Sequence, residues 1–391
     1  MHLTNGDNKD EGTPVELIFM GTGTSSCVPH VDCLTRPPEA VPCRTCLSTL
    51  TPEGKKNARR NTSAVVRMRG AHSENVTILI DCGKSFQSAA VDWFPKYGLR
   101  RIDAVLITHA HADAMNGLDD LRGWTLRAAI QPHIDLYVSM NTFKEVQRAF
   151  PYLISKEYAS GGGDVPEFKW HIIEEGVPFE IGDTGIQITP FAVQHGRIFT
   201  PPPPVEMPIT PHSMSPASTA ASSPNVPGTP IHTADLPASP LTDAIQPYLC
   251  LGFMIQDAIT YISDVSYIPE HVWTMFESRG KVPPVFVLDC LRILSHTSHY
   301  GIEDSVRTAR RMKAKRTYLL GFSHDLQHDD WVTIAEAAGG ENHEGSKLAL
   351  IDEHRLRGLR EGDPVWVRPA FDGLRVFVSG DGSVRDEGYS Q

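Results

Sequence analysis

The chain has 391 residues, a formal net charge of −11, 40% hydrophobic and 21% charged residues, and seven cysteines. That length can bury a large core, and the composition is that of an ordinary globular protein. A strongly acidic chain is a poor partner for long nucleic acid, whose binding rests on phosphate neutralisation. No apolar run reaches the roughly 18 residues of a membrane-spanning helix. The first residues, MHLTNGDNKDEG, lack the apolar core of a signal peptide, so a cytoplasmic or nuclear location is expected.

In chain order, residues 1–14 form a polar tail, and VELIFMGTGTSS (15–26) predicts a strand ending in a tight glycine turn. NTSAVVRMRG (61–70) and VTILIDCG (76–83) are β-branched runs of strand length. FQSAAVDWFPKYGL predicts a helix, RIDAVLITHAHAD a strand running into histidines, and NGLDDLRGWTLRAA the next helix. Further strands are expected at HIDLYVSM, IQITPFAVQHG, YLCLGFMIQDAITYISD, PVFVLDCL and RTYLLGFSHD, with IEDSVRTARRMKA a helix between the last two. Residues 199–246 are rich in Pro, Ser and Thr and cannot bury a core, which predicts a flexible insertion within one domain spanning 15–391.

Five apolar runs end in a His or Asp: ILID81, THAHAD113, AVQH195, YISD264 and GFSH324. Donors at strand ends suit metal chemistry, because the sheet holds the backbone while the loops stay open to substrate. Imidazole and carboxylate select Zn, Mn or Fe. Separately, Cys43 and Cys46 form a CxxC pair with Cys27 and Cys33 nearby, which is the spacing of a structural zinc site. Cys82, Cys250 and Cys290 sit in or beside apolar runs and are assigned to the core. GTGTSS is read as a turn, not a phosphate loop, and RTARRMKAKR (307–316) as a solvated helix face.

In that order, an Asp after a strand, HxHxD, a distant His, a distant Asp and a final His, the sequence resembles the metallo-β-lactamase superfamily. GTGTSSCVP, the early cysteines and GLDDLR direct the resemblance to the PhnP-like phosphodiesterases in particular. The resemblance implies an α/β fold, a four-layer αββα sandwich. It also implies a dinuclear centre: His109, His111 and His195 on the first metal, Asp264 bridging, and Asp113 and His324 joining it on the second. Asp81 would orient ligands from behind. Ala114 stands where the family has a further His, so the second site is expected to be weaker, with Asp119 or Asp120 as candidate substitutes. The implied cofactors are two catalytic Zn2+, with Mn2+ an alternative at the second site, and one structural Zn2+ on Cys33, Cys43, Cys46 and His328.

The implied activity is hydrolysis of a small phosphate ester, cyclic ones included, by a metal-bound hydroxide, with Asp113 orienting the nucleophile and His299 protonating the leaving oxygen. His296 and His299 both precede a helix, and His299 is the one chosen. The alternatives are a lactone or thioester hydrolase on the same metals, or a non-catalytic scaffold. The expected partner is the small substrate alone, with no long nucleic acid and no membrane; a homodimer is compatible with the sequence.

Overall fold

The computed structural model describes residues 14–161, 163–199, 246–340, 351 and 353–389. Most of the 1–14 tail and nearly all of the 199–246 insertion lie outside the described residues. Residues up to Arg197 and from Pro247 onward form one compact unit. No helix among the described residues is long and apolar enough to cross a membrane.

The strands are β1 (Val15–Gly21), β2 (Ser63–Arg69), β3 (Asn75–Ile80), β4 (Ala104–Leu106), β5 (Ile134–Val138), β6 (Phe168–Ile172), β7 (Phe179–Glu180), β8 (Gln187–Arg197) and β9 (Pro247–Ile255). They continue with β10 (Ile259–Tyr261), β11 (Val285–Asp289), β12 (Arg316–Leu320), β13 (Val367–Pro369), β14 (Arg375–Val378) and β15 (Val384–Asp386). One sheet has the order β15-β14-β1-β2-β3-β4-β5-β6, the other β13-β12-β11-β10-β9-β8-β7. Strands β3 to β6 pair parallel, as do β10 to β13.

Alternation along each strand builds the layers. On β1, Leu17 and Phe19 face the other sheet, where they meet Phe253, Tyr261, Val287 and Tyr318. Ile18 and Met20 face outward, against Phe86 and Phe94 of helix Phe86–Tyr97. The second sheet buries Phe286 and Leu288 under Trp273 of helix Glu270–Ser278, Val306 of Ile302–Met312 and Trp331 of His328–Ala338. Both sheets are therefore covered on both faces, giving the αββα sandwich. Residues buried on both sides explain why VFVLD and RTYLL read as continuous runs.

Two predicted elements differ. NGLDDLRGWTLRAA breaks into 3-10 turns at Leu118–Leu121 and Leu126–Ala128 around one α-helical turn, with Arg127 and Ala128 left-handed. Its start is held down because Gly117 donates to the Cys82 carbonyl at 2.8 Å. YLCLGFMIQDAITYISD is the hairpin β9–β10, turned at Gln256, whose φ is 50°.

The loops after β3, β4, β10 and β11 meet the last residues of β8 at one edge. Gly83 allows two of them to touch: a Cβ there would lie 1.7 Å from the Asp113 carbonyl oxygen. Gly83→Ala is expected to push that turn away and cost about 1–3 kcal/mol of stability. A urea-denaturation midpoint equal to the wild type would show that the turn has room.

Candidate metal centres

Strand β3 delivers Asp81 in a left-handed conformation (φ 61°), 1% exposed. Its carboxylate accepts from the Thr108 backbone N–H at 2.8 Å and from the Thr108 hydroxyl at 2.9 Å. With that hydroxyl proton committed to Asp81, the Thr108 oxygen accepts from His109 Nδ1 at 2.8 Å. The network thereby assigns His109 Nε2 as a bare acceptor, and this atom is buried without a protein partner. An orphaned lone pair of this kind is what a metal ligand presents.

Two more imidazoles converge on it. His195, near the end of β8, donates Nδ1–H to the Ser298 carbonyl at 2.7 Å, which leaves its Nε2 as acceptor, 3.2 Å from His111 Nδ1. Ligand nitrogens of His109, His111 and His195 all lie within 4.8 Å of one another. His111 is steadied by Tyr248, whose ring stacks on it at 4.6 Å and 2°. Burial pushes the His109 pKa well below its usual value, and burial together with the neighbouring His195 brings that of His111 to about 4. Both rings are thus neutral, the form that binds metal.

Asp264, beyond β10, completes the group. It falls within ligand distance of His195 and His299, and separately of His109 and Cys250. Burial alone would raise its pKa, yet His195, His109 and His299 outweigh that and hold it at about 2. His299 Nδ1 lies 2.9 Å from Asp289 Oδ2 and 3.5 Å from Asp264 Oδ1. Burial opposes the imidazolium, but Asp289, its hydrogen bond and Asp264 lift the His299 pKa to about 9. Asp113, in the short helix Ala112–Met115, has its pKa raised by burial and by the charge of Asp264. Among the described residues it joins no group of three ligand side chains within 4.8 Å.

The early cysteines form a second centre, and here the expected ligands change. His324, assigned from sequence to the catalytic pair, instead places Nδ1 3.3 Å from Cys33 Sγ, 3.6 Å from Cys43 Sγ and 3.5 Å from Cys46 Sγ. A tetrahedral zinc, with Zn–S about 2.3 Å and Zn–N about 2.0–2.1 Å, sets S and N about 3.5 Å apart. The four donors fit such an ion. Cys43 occupies the N-cap position of helix Arg44–Ser48; burial alone would raise its thiol pKa, but the Cys46 N–H, the Cys46 and Cys33 thiols and the Thr45 N–H outweigh that and lower it.

His328, expected in this centre, points elsewhere. It begins helix His328–Ala338, its backbone N–H donates to Asn57 Oδ1 at 2.6 Å, and its Nε2 meets the Tyr389 hydroxyl at 3.2 Å. Burial, then Lys56 and Arg59, brings its pKa to about 3, so it is a neutral core residue. The loop after β12 turns His324 toward the cysteines, and the helix that starts four residues later carries His328 inward. Cys27 stays outside the sulfur cluster, Asp119 is engaged by Arg122, and His296 bonds Ser298.

Sequence reading missed four contributors. Asp289 carries the same signal as the others, a carboxylate after the apolar run VFVL, and could have been found. Tyr248, the Ser298 carbonyl and His30 (stacked on His324 at 3.9 Å) leave no local signature. Thr108→Val should remove the link that fixes His109 and weaken metal binding about 10–100-fold, while Thr108→Ser retains it. Competition with a chromophoric chelator measures both; equal affinities for Val and wild type would disprove the relay.

Residues 76–206 match a family model described as a β-lactamase superfamily domain. Over 186 residues, 47% of the chain, it is 30% identical to an octanoyltransferase of Porphyromonas gingivalis (strain ATCC BAA-308 / W83); the chain spans about a third (32%) of that protein. The fold matches a diphosphatase of the PhnP family with TM-score 0.57 and 22% identity, covering 92% of this chain and 96% of that one. It also matches Zn(2+)-bound PqqB from Methylobacterium extorquens, with TM-score 0.53 and 15% identity, covering 92% and 99%. Two sheets sandwiched by helices, with histidines gathered at one strand-end edge, agree with those matches: the chain has the αββα sandwich fold of the metallo-β-lactamase type, and residues 76–206 match the β-lactamase superfamily domain.

Proposed function

We propose that this chain is a metal-dependent hydrolase that cleaves a small phosphate diester, cyclic esters included. The observation that carries the reading is the convergence of His109, His111, His195 and Asp264 beside a second acid–base group, His299. A divalent ion held by His109, His111 and His195, with Asp264 beside them, would supply Lewis acidity toward a phosphoryl oxygen and acidify water.

The remaining work falls to the chain's own groups. His299 is pinned through Nδ1 to Asp289 and Asp264, which leaves Nε2 to donate a proton to the departing oxygen. Asp289 positions it and, being fully buried, cannot exchange that bond for water. Asp113 lies in the field of Lys84 and of His299. Two cationic groups around an otherwise acidic edge favour an anionic substrate. Zn2+ is the proposed ion, since imidazoles and a carboxylate are its usual ligands. A small substrate with no membrane or long nucleic-acid partner remains the proposal for this acidic chain.

The likeness to a protein called an octanoyltransferase supports keeping acyl esters as the second reading, a lactone or thioester hydrolase on the same donors. Assays on bis(4-nitrophenyl) phosphate, nucleoside 2′,3′-cyclic phosphates, γ-lactones and acyl thioesters separate them. Turnover of the phosphate diesters alone is expected, with kcat lowered about 10²–10⁴-fold in His299→Gln. Turnover confined to lactones or thioesters would replace the first reading with the second.

A further inference from the structure

The dinuclear centre implied by the family resemblance does not fit the donors this chain presents. A catalytic zinc takes three protein ligands and keeps a position open. The first position meets that requirement with His109, His111 and His195, and Asp264 stands next to them. For a second position the described residues offer Asp113, Asp264 and His299, and His299 already spends its Nδ1 on Asp289; Asp120 joins no group of ligand atoms. Ala114, 2% exposed, ends in a methyl group that cannot ligate. His324 is committed to the thiolates, its Nδ1 3.3–3.6 Å from three sulfurs. Asp119 is occupied by Arg122.

The shared carboxylate is also engaged differently. Asp264 Oδ1 lies 3.5 Å from His299 Nδ1, so a ring N–H borders the oxygen that would have bridged two ions. Cys250 offers no replacement. Its sulfur is 3.7 Å from His109 Nδ1, the nitrogen already bound to Thr108, and so lies behind the imidazole, away from the Nε2 that faces the centre.

We infer that the catalytic centre is mononuclear, and that the chain carries two metal ions in all: one on His109, His111 and His195 with Asp264 beside them, the other on Cys33, Cys43, Cys46 and His324. The inference rests on the metal-centre reading above and is independent of the substrate.

The experiment is metal counting. The purified chain is stripped, reloaded with excess Zn2+, desalted, and measured by elemental analysis and native mass spectrometry. Two ions per chain are expected, falling to one in Cys46→Ser and to none when His109→Ala is added. Three ions in the wild type with two kept by Cys46→Ser would overturn the inference, as would a wild type that holds one ion in all and none in Cys46→Ser. If that variant fails to fold, the wild type loaded with Co2+ gives a second test. One thiolate charge-transfer band and a magnetically uncoupled second ion are expected; a spin-coupled pair would overturn it. Both counts are read without substrate. A chain inactive on every phosphate ester but holding two ions would sink the proposed function and leave the mononuclear centre standing.

Discussion

Three carboxylates, Asp81, Asp264 and Asp289, are buried together at one edge of the sandwich, and the site depends on how their charge is answered. Burying an ionised carboxylate is costly unless hydrogen bonds or opposite charge replace the lost water. Asp81 accepts from Thr108, Asp264 faces the surrounding imidazoles, and Asp289 faces His299 and accepts from the Val265 N–H, though burial still raises the pKa of Asp81 and of Asp289. Each answer fixes a histidine ring or the strand end that carries one. The geometry of the histidine centre is thus a by-product of satisfying buried acids.

The sandwich makes that arrangement rigid. With both faces of both sheets covered, strand ends cannot slide without disturbing three hydrophobic layers. The Leu251 N–H donates to the Thr108 carbonyl at 2.8 Å, tying the second sheet to the turn that carries His109. Tyr248, three residues earlier on the same strand, then lands flat on His111. Donors from both sheets meet because the interlayer core holds those sheets in register.

The two centres lie in different chemical settings. The histidine centre gathers imidazoles at a loop-built edge where His111 is exposed. The thiolate centre is closed by buried Cys33 and Cys46 and by the His30 ring, and it ties the segment 31–50 to the loop after β12. Three cysteines and one imidazole around a single ion would leave no open position, which fits a structural role. Diverting His324 to it strengthens that tie and subtracts a donor from the histidine edge.

Much of this was legible in the residues. Strand-end donors announce themselves, because an apolar run interrupted by His or Asp has few structural reasons to exist, and the HAHAD spacing and the CxxC pair are local features. Local spacing could not decide between His324 and His328. Both follow the same strand within one short loop, and only the direction in which the loop and the next helix turn assigns one to sulfur and the other to the core. Nor could it find Tyr248, Ser298 or His30, whose roles come from packing across sheets and loops. The sequence by itself determined which donor atoms exist and that they sit at strand ends, since side-chain chemistry and strand periodicity are local. Only the tertiary structure decided which centre each donor serves, because that depends on where distant strands bring their ends together in space.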